Sequence, residues 1–285
     1  MQKVELHQIF YDAESAALLA PEARPLDNTD GPPDWFEFWP ILCYLRQNDL
    51  RDDTLYGFVS PQFVRKTGVT VREAISFAQQ QEDAQVLLYS SQWMMRHFFL
   101  NPWLQGEYHH PGLIERASEF FDAIGQSVDL SHYVSDNSTS VTSNYMIADR
   151  SFWLSWRELA EEYFDFVQNS SAGKRHEDAT SYLDKSGYPF KVFIQERLAC
   201  HVLRQGFRTV VPPMPVLPGY RSLDQGDLSR HLARLEETKL AYGASRSSID
   251  SIRYRVARIA FSSFLSSEPL LKRVLRRMIS SKRSF

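Results

Sequence analysis

Three segments hold side chains able to move a proton or to hold an anion. "NPWLQGEYHHPG" (101–112) sets Glu107 beside His109 and His110. "SPQFVRKTG" (60–68) sets Arg65 and Lys66 just after an apolar run. Glu196 and Arg197 interrupt the otherwise apolar "VFIQERLACHVL" (192–203). In the first, Gly and Pro on either side read as loop. A metal ion needs several converging ligands, and adjacent histidines on extended chain point to opposite sides. The metal reading therefore recedes, leaving Glu107 and His110 as acid/base or ligand-binding candidates. The plain alternative is a hydrogen-bonded set that pins the loop before the next helix.

The second segment depends on its neighbours. "TLYGFVS" (54–60) reads as a buried strand stopped by Pro61, so Arg65 and Lys66 fall at the carboxyl edge of a sheet. Open α/β sheets bind ligands at that edge, and arginine makes bidentate contacts to phosphate oxygens. The alternative is a pair of solvated cations. For Glu196 and Arg197 the plain reading is a buried or edge ion pair. Asn144, at the start of a further strand, is a candidate for orienting a hydroxyl-bearing ligand. Trp35, Phe36, Phe38 and Trp39 have faces on which a base can stack, but helical spacing favours core.

The elements that must position these residues alternate. Strands are expected over 4–10, 54–60, 84–90, 143–149 and 207–211, and helices over 34–48, 71–81, 92–100, 112–124, 152–168 and 189–204. Asp34 with Glu37 and Thr70 with Glu73 have capping-box spacing, Ser151 is placed to cap the 152–168 helix, and Gly125 and Gly206 stop theirs. Pro40 sits deeper than a first turn prefers and argues for a later or kinked start. The stretches 21–33 and 171–187 read as polar loop. This alternation implies an α/β layered, largely parallel sheet over residues 1–211. The Pro-rich "VPPMPVLPG" introduces a connector (212–220), and a helical extension (221–285) follows with helices over 228–242, 248–265 and 269–281.

Composition narrows the function classes. The chain has 285 residues, 43% of them hydrophobic, with a net charge of −3. Residues 251–285 hold nine Lys/Arg against the single Glu268, so the body is acidic and the tail basic. No G-x-G-x-x-G, GxxxxGK[ST] or G-x-S-x-G occurs, which argues against dinucleotide-binding, P-loop and α/β-hydrolase sites. An acidic body with no stacking aromatics in its tail argues against nucleic acid. Cys43 and Cys200 have no CxxC partner, and "MQKVELHQIFYD" lacks a signal-peptide pattern, so the expected location is cytoplasmic. In 269–285, Leu270, Leu271, Val274, Leu275, Met278 and Ile279 share one helical face and the cations take the rest. That pattern suits the inner face of an anionic plasma membrane, which makes the protein peripheral.

In order along the chain, "DWFEFWPI", "YGFVSPQFVRKTG", "NPWLQGEYHHPG", "SNYMIADRSFWLSW" and "FIQERLACHVL" resemble a bacterial family found among polysaccharide-biosynthesis proteins. More distantly, their order is similar to capsule and lipopolysaccharide glycosyltransferases of the GT-A class, over about residues 4–211. Glu37, the strand ending at "SPQF", "NYMIA" and "QERLA" occupy the stations of that pattern. The resemblance implies a GT-A-like fold and a nucleotide-sugar-dependent transferase acting on a glycan or lipid-linked acceptor. It implies Gln8, Tyr11 and Glu37 on the nucleotide side, Arg65 and Lys66 on the diphosphate, and Glu107, His110 or Glu196 as base. One departure stands out: where GT-A enzymes usually carry a metal-binding D-x-D, this chain has Ser60-Pro61-Gln62. A metal-independent transferase and a non-catalytic transferase-like scaffold both follow from that.

Overall fold

The computed structural model describes residues 2–90, 93–180, 187–216 and 220–266. Among the described residues six strands form one open sheet: β1 (Lys3–Phe10), β2 (Arg24–Asp27), β3 (Thr54–Val59), β4 (Val86–Leu88), β5 (Met146–Ala148) and β6 (Thr209–Val210). Their order is β2-β1-β3-β5-β4-β6. All run parallel except β5, which is antiparallel to both β3 and β4. The chain is thus α/β with a mostly parallel sheet, as the alternation implies.

The helices are α1 (Ala13–Ala16), α2 (Phe38–Gln47), α3 (Phe63–Thr67), α4 (Val71–Ala78), α5 (Pro102–His109), α6 (Leu113–Ala123), α7 (Arg150–Asn169), α8 (Phe190–Gln195), α9 (Leu198–Leu203), α10 (Gln225–Ser245) and α11 (Ser248–Leu265). Strand β3 shows how they divide between the two faces. It is buried at every position, and its side chains alternate, as a strand covered on both sides requires. Leu55 and Val59 join the cluster beneath α3 and α4, with Val71, Ala74 and Ala78. Tyr56 and Phe58 face the larger cluster built with α2, α6, α7, α8 and α9. Trp153 and Trp156 of α7 are fully buried there, and the Trp153 indole donates to the Tyr56 carbonyl at 2.9 Å.

Several local expectations change. The stretch "NPWLQGEYH" is a helix, because Asn101 accepts from the Leu104 N–H and Pro102 occupies the first turn, where its missing N–H costs nothing. Gly106 disguised it. A Cβ there would lie 2.7 Å from Arg197 Nε, so this helix gives up a side chain to let the guanidinium pass. The expected 189–204 helix is two, parted at Glu196 and Arg197. Arg197 N–H reaches back three residues to the Ile194 carbonyl, tightening the turn, while its side chain takes the Phe193 carbonyl at 2.6 Å.

At the ends of elements the sequence misleads in smaller ways. Asp149, not Ser151, caps α7 by accepting from the Phe152 N–H. Helix α2 starts at Phe38 with no Asp34–Glu37 box, placing Pro40 inside the first turn. Of the expected 92–100 helix, the described residues 93–100 contain only a short 3-10 turn, and the loop after Pro21 contains the edge strand β2. The Thr70–Glu73 box forms, and Gly125 and Gly206 take the left-handed conformations that stop α6 and α9.

Helices α10 and α11 pack on Met94, Phe98 and Phe99 through Leu228, Leu235, Tyr254, Phe261 and Leu265. Lys239 anchors this contact from a fully buried position, donating to the Arg96 carbonyl at 2.9 Å. The expected helix over 269–281 and its basic tail lie outside the described residues. Among the described residues no helix is long and apolar enough to cross a membrane.

Candidate functional site

Strands β1 and β3 run side by side in parallel, so both deliver their following loops to the same sheet edge. There "YDAES" turns into α1, its turn closed by Asp12 and Ser15 in a reciprocal capping box. "SPQFVRK" turns into α3. Between them opens a cleft of about 580 Å³, within the range of small-molecule sites. Tyr11, Asp12 and Glu14 line it from the first loop, and Ser60, Gln62, Arg65 and Lys66 from the second. The turn before α2 adds Phe36 and Glu37, α8 adds Phe193 and Gln195, and the break after α8 adds Glu196.

Backbone strain is concentrated at this rim. Asp34 and Phe36 both have positive φ, 64° and 39°. For a bulky residue such as Phe36 that conformation costs free energy and needs surrounding contacts to hold it. Here it turns Trp35 into the core while Phe36 and Glu37 face the cleft. Strain of this kind collects at ligand sites.

The electrostatics are uneven. Four carboxylates (Asp12, Glu14, Glu37 and Glu196) and two cations (Arg65 and Lys66) line the cleft. Burial pushes the Glu196 carboxyl up to about 7, with Glu37 adding to the rise while Arg197 and Lys66 oppose it. Its side chain still keeps 30% of its surface open, so a ligand in the cleft can reach it. Arg197 is not spent on this carboxylate. The gap between them is 3.9 Å, while the guanidinium donates to the Pro102 carbonyl at 2.8 Å and to Gln105 Oε1. Glu196 is thus held at a buried break between helices with its charge only partly compensated. On the opposite wall, Ser60 Oγ and the Tyr145 hydroxyl share a 2.6 Å hydrogen bond, and Lys66 Nζ lies 5.6 Å from the Tyr145 ring centre.

Of the residues singled out in the sequence, Tyr11, Glu37, Arg65, Lys66 and Glu196 come together in this cleft. The others are placed elsewhere. Gln8 is buried on β1, where its amide donates to the Leu18 carbonyl and accepts from the Ala20 N–H, tying down the chain after α1. Glu107 accepts from the Gly112 and Ile114 N–H groups, both at 2.9 Å, and so satisfies the free amides at the start of α6. His110 is buried with its ring stacked on Phe193 at 3.5 Å between centres and Nδ1 3.1 Å from Thr180 Oγ1. It backs a cleft-lining ring without lining the cleft. Asn144 is buried just before β5, also away from the lining.

Asp12, Glu14 and Gln195 are cleft residues that the sequence reading passed over. The D-x-x-S spacing directly after an apolar strand was the available signal for the first two. Asp52 and Asp53 sit at the opposite sheet end, paired with Arg150 and Lys3. Among the described residues no group of three His, Cys, Asp or Glu side chains is placed to hold a metal ion. Replacing Glu107 by alanine is expected to lower stability by about 1 kcal/mol through the lost helix cap. A denaturation midpoint measures that, and ligand binding in the cleft should be unchanged.

Comparison with protein-family models, with curated proteins and with solved structures finds no match to this chain.

Proposed function

We propose that the cleft binds a nucleotide sugar and that the protein is a GT-A-like glycosyltransferase of bacterial surface-polysaccharide assembly, acting on a glycan or lipid-linked acceptor. The observation that carries this is the meeting of a carboxyl raised to about 7 (Glu196) with a cation pair (Arg65 and Lys66) in one cleft at the carboxyl edge of a mostly parallel sheet. Arg65 and Lys66 lie together on α3 and take the diphosphate. Tyr11 and Phe36 offer rings on the nucleotide side, and Glu37 accepts from ribose or sugar hydroxyls. Glu196 takes the proton of the acceptor hydroxyl as its oxygen attacks the anomeric carbon. The bond from that carbon to the diphosphate breaks, and the nucleoside diphosphate leaves with its charge held by the two cations.

The GT-A resemblance implies a divalent cation at the strand end, and the donors present there do not fit one. Ser60 is engaged with Tyr145, and Gln62 Oε1 accepts from Arg65. The transfer therefore rests on Glu196 and the two cations. The same strand end favours a second reading, a transferase-like partner in glycan assembly that binds but does not turn over.

Isothermal titration against UDP-, GDP-, CMP- and dTDP-sugars tests the proposal. Binding of at least one donor is expected, weakened about tenfold or more by the Arg65→Ala/Lys66→Ala pair. No binding across the panel overturns it, and binding without transfer to any glycan acceptor supports the second reading.

A further inference from the structure

Helix α11 has two apolar faces, and among the described residues only one is covered. Tyr254, Ala257, Phe261 and Leu265 are buried against the body. Ile249, Ile252, Val256 and Ile259 are 59–66% exposed. Their spacing of three, four and three residues draws them into one stripe along the helix. They make up four of the eight large hydrophobic side chains exposed among the described residues, so the apolar exposure is concentrated here rather than scattered. At 3.6 residues per turn, the exposed Arg253 and Arg255 fall on either side of the stripe. Asp250 is the one acidic residue in the helix, and it is engaged by Arg253 at 3.0 Å and by the Ser245 and Ser247 hydroxyls.

Charge decides between the occupants of such a face. A second copy docking stripe to stripe would bring together two faces that each carry Arg253 and Arg255 against the single Asp250, so that both are net positive. Residues 267–285 of the same chain carry six Lys/Arg against Glu268 and meet the same repulsion. A lipid surface with anionic headgroups is complementary on both counts: isoleucines and valine enter the acyl boundary while arginines stay at the phosphates. We propose that the exposed face of α11 is a membrane-contact surface for anionic lipid. This proposal stands apart from the transferase reading and from the basic segment 269–285.

The test uses the full chain and vesicles of phosphatidylcholine alone or mixed with phosphatidylglycerol. Sedimentation with the mixed vesicles only is expected, with partition reduced about tenfold or more by Ile252→Glu/Ile259→Glu. Both positions are exposed, and an unchanged circular-dichroism melt shows that the variant folds. A Val256→Cys variant in a Cys43→Ser background, labelled with an environment-sensitive fluorophore, should shift its emission to the blue on mixed vesicles. The same label at Ala233→Cys on α10 should not shift. Partition unchanged by the double variant, a label at 256 that does not shift, or a solution dimer abolished by Ile252→Glu each overturns the proposal.

Discussion

Replacing Glu196 by glutamine is expected to lower transfer about 10²–10⁴-fold while leaving nucleotide-sugar affinity nearly unchanged. Glutamine keeps the size and the hydrogen-bonding reach of the side chain but cannot take a proton. A loss in kcat with donor affinity preserved separates a base from a mere binding contact. In the unsubstituted protein kcat/KM should rise with pH through about 7, because the carboxyl raised by burial must lose its proton before it acts as base. The variant should lose that limb. Transfer unaffected by the substitution, or a profile flat between pH 5 and 9, would remove Glu196 from the mechanism.

Replacing Arg197 by methionine is expected to cost about 3 kcal/mol of stability, read as a shift in denaturant midpoint. The guanidinium is buried and serves the Pro102 and Phe193 carbonyls and Gln105 Oε1, joining the break between α8 and α9 to α5. Methionine fills similar space but leaves those acceptors without a donor, a loss partly offset because no cation then has to be buried. A second effect has a definite sign. Arg197 lowers the Glu196 carboxyl, so its removal should carry the rising limb of the pH profile to higher pH. A limb that stays in place or moves to lower pH would show that Arg197 does not set the electrostatics of the site. Arg197→Lys keeps the charge but not the planar fork, so it should restore the limb more fully than the stability.

Much of the fold is local chemistry and is legible as such. The apolar run Thr54–Val59, the Thr70–Glu73 box and the glycines after α6 and α9 act through their own neighbours in sequence, so the residues that do the work stand together. Arg65 and Lys66 belong to the same class, since a strand, a proline and two cations in sequence already put charge at a sheet edge. What was not legible has distant causes. Helix α5 hides behind Gly106 because the reason for a glycine there is Arg197, far along the chain. The break at Glu196 follows from the carbonyls that Arg197 reaches, not from any helix breaker. The direction of β5 depends on which strands it lies between.

The site divides in the same way. Sequence alone determined that this chain is an α/β protein with cations after its second predicted strand and a carboxylate lodged in an apolar helical run. It also marked Glu107 as a residue to explain, but a carboxylate five residues before Gly112 has the same spelling whether it faces a substrate or caps a helix. Only the tertiary structure decided that Glu107 is held by two backbone N–H groups while Glu196 faces the cleft with Tyr11, Glu37, Arg65 and Lys66. The physical reason is that a carboxylate's chemistry is set by what surrounds it. The amides that hold Glu107 come from the next turn of chain, whereas the carboxylate that opposes Glu196 is Glu37, from a segment far earlier in the sequence.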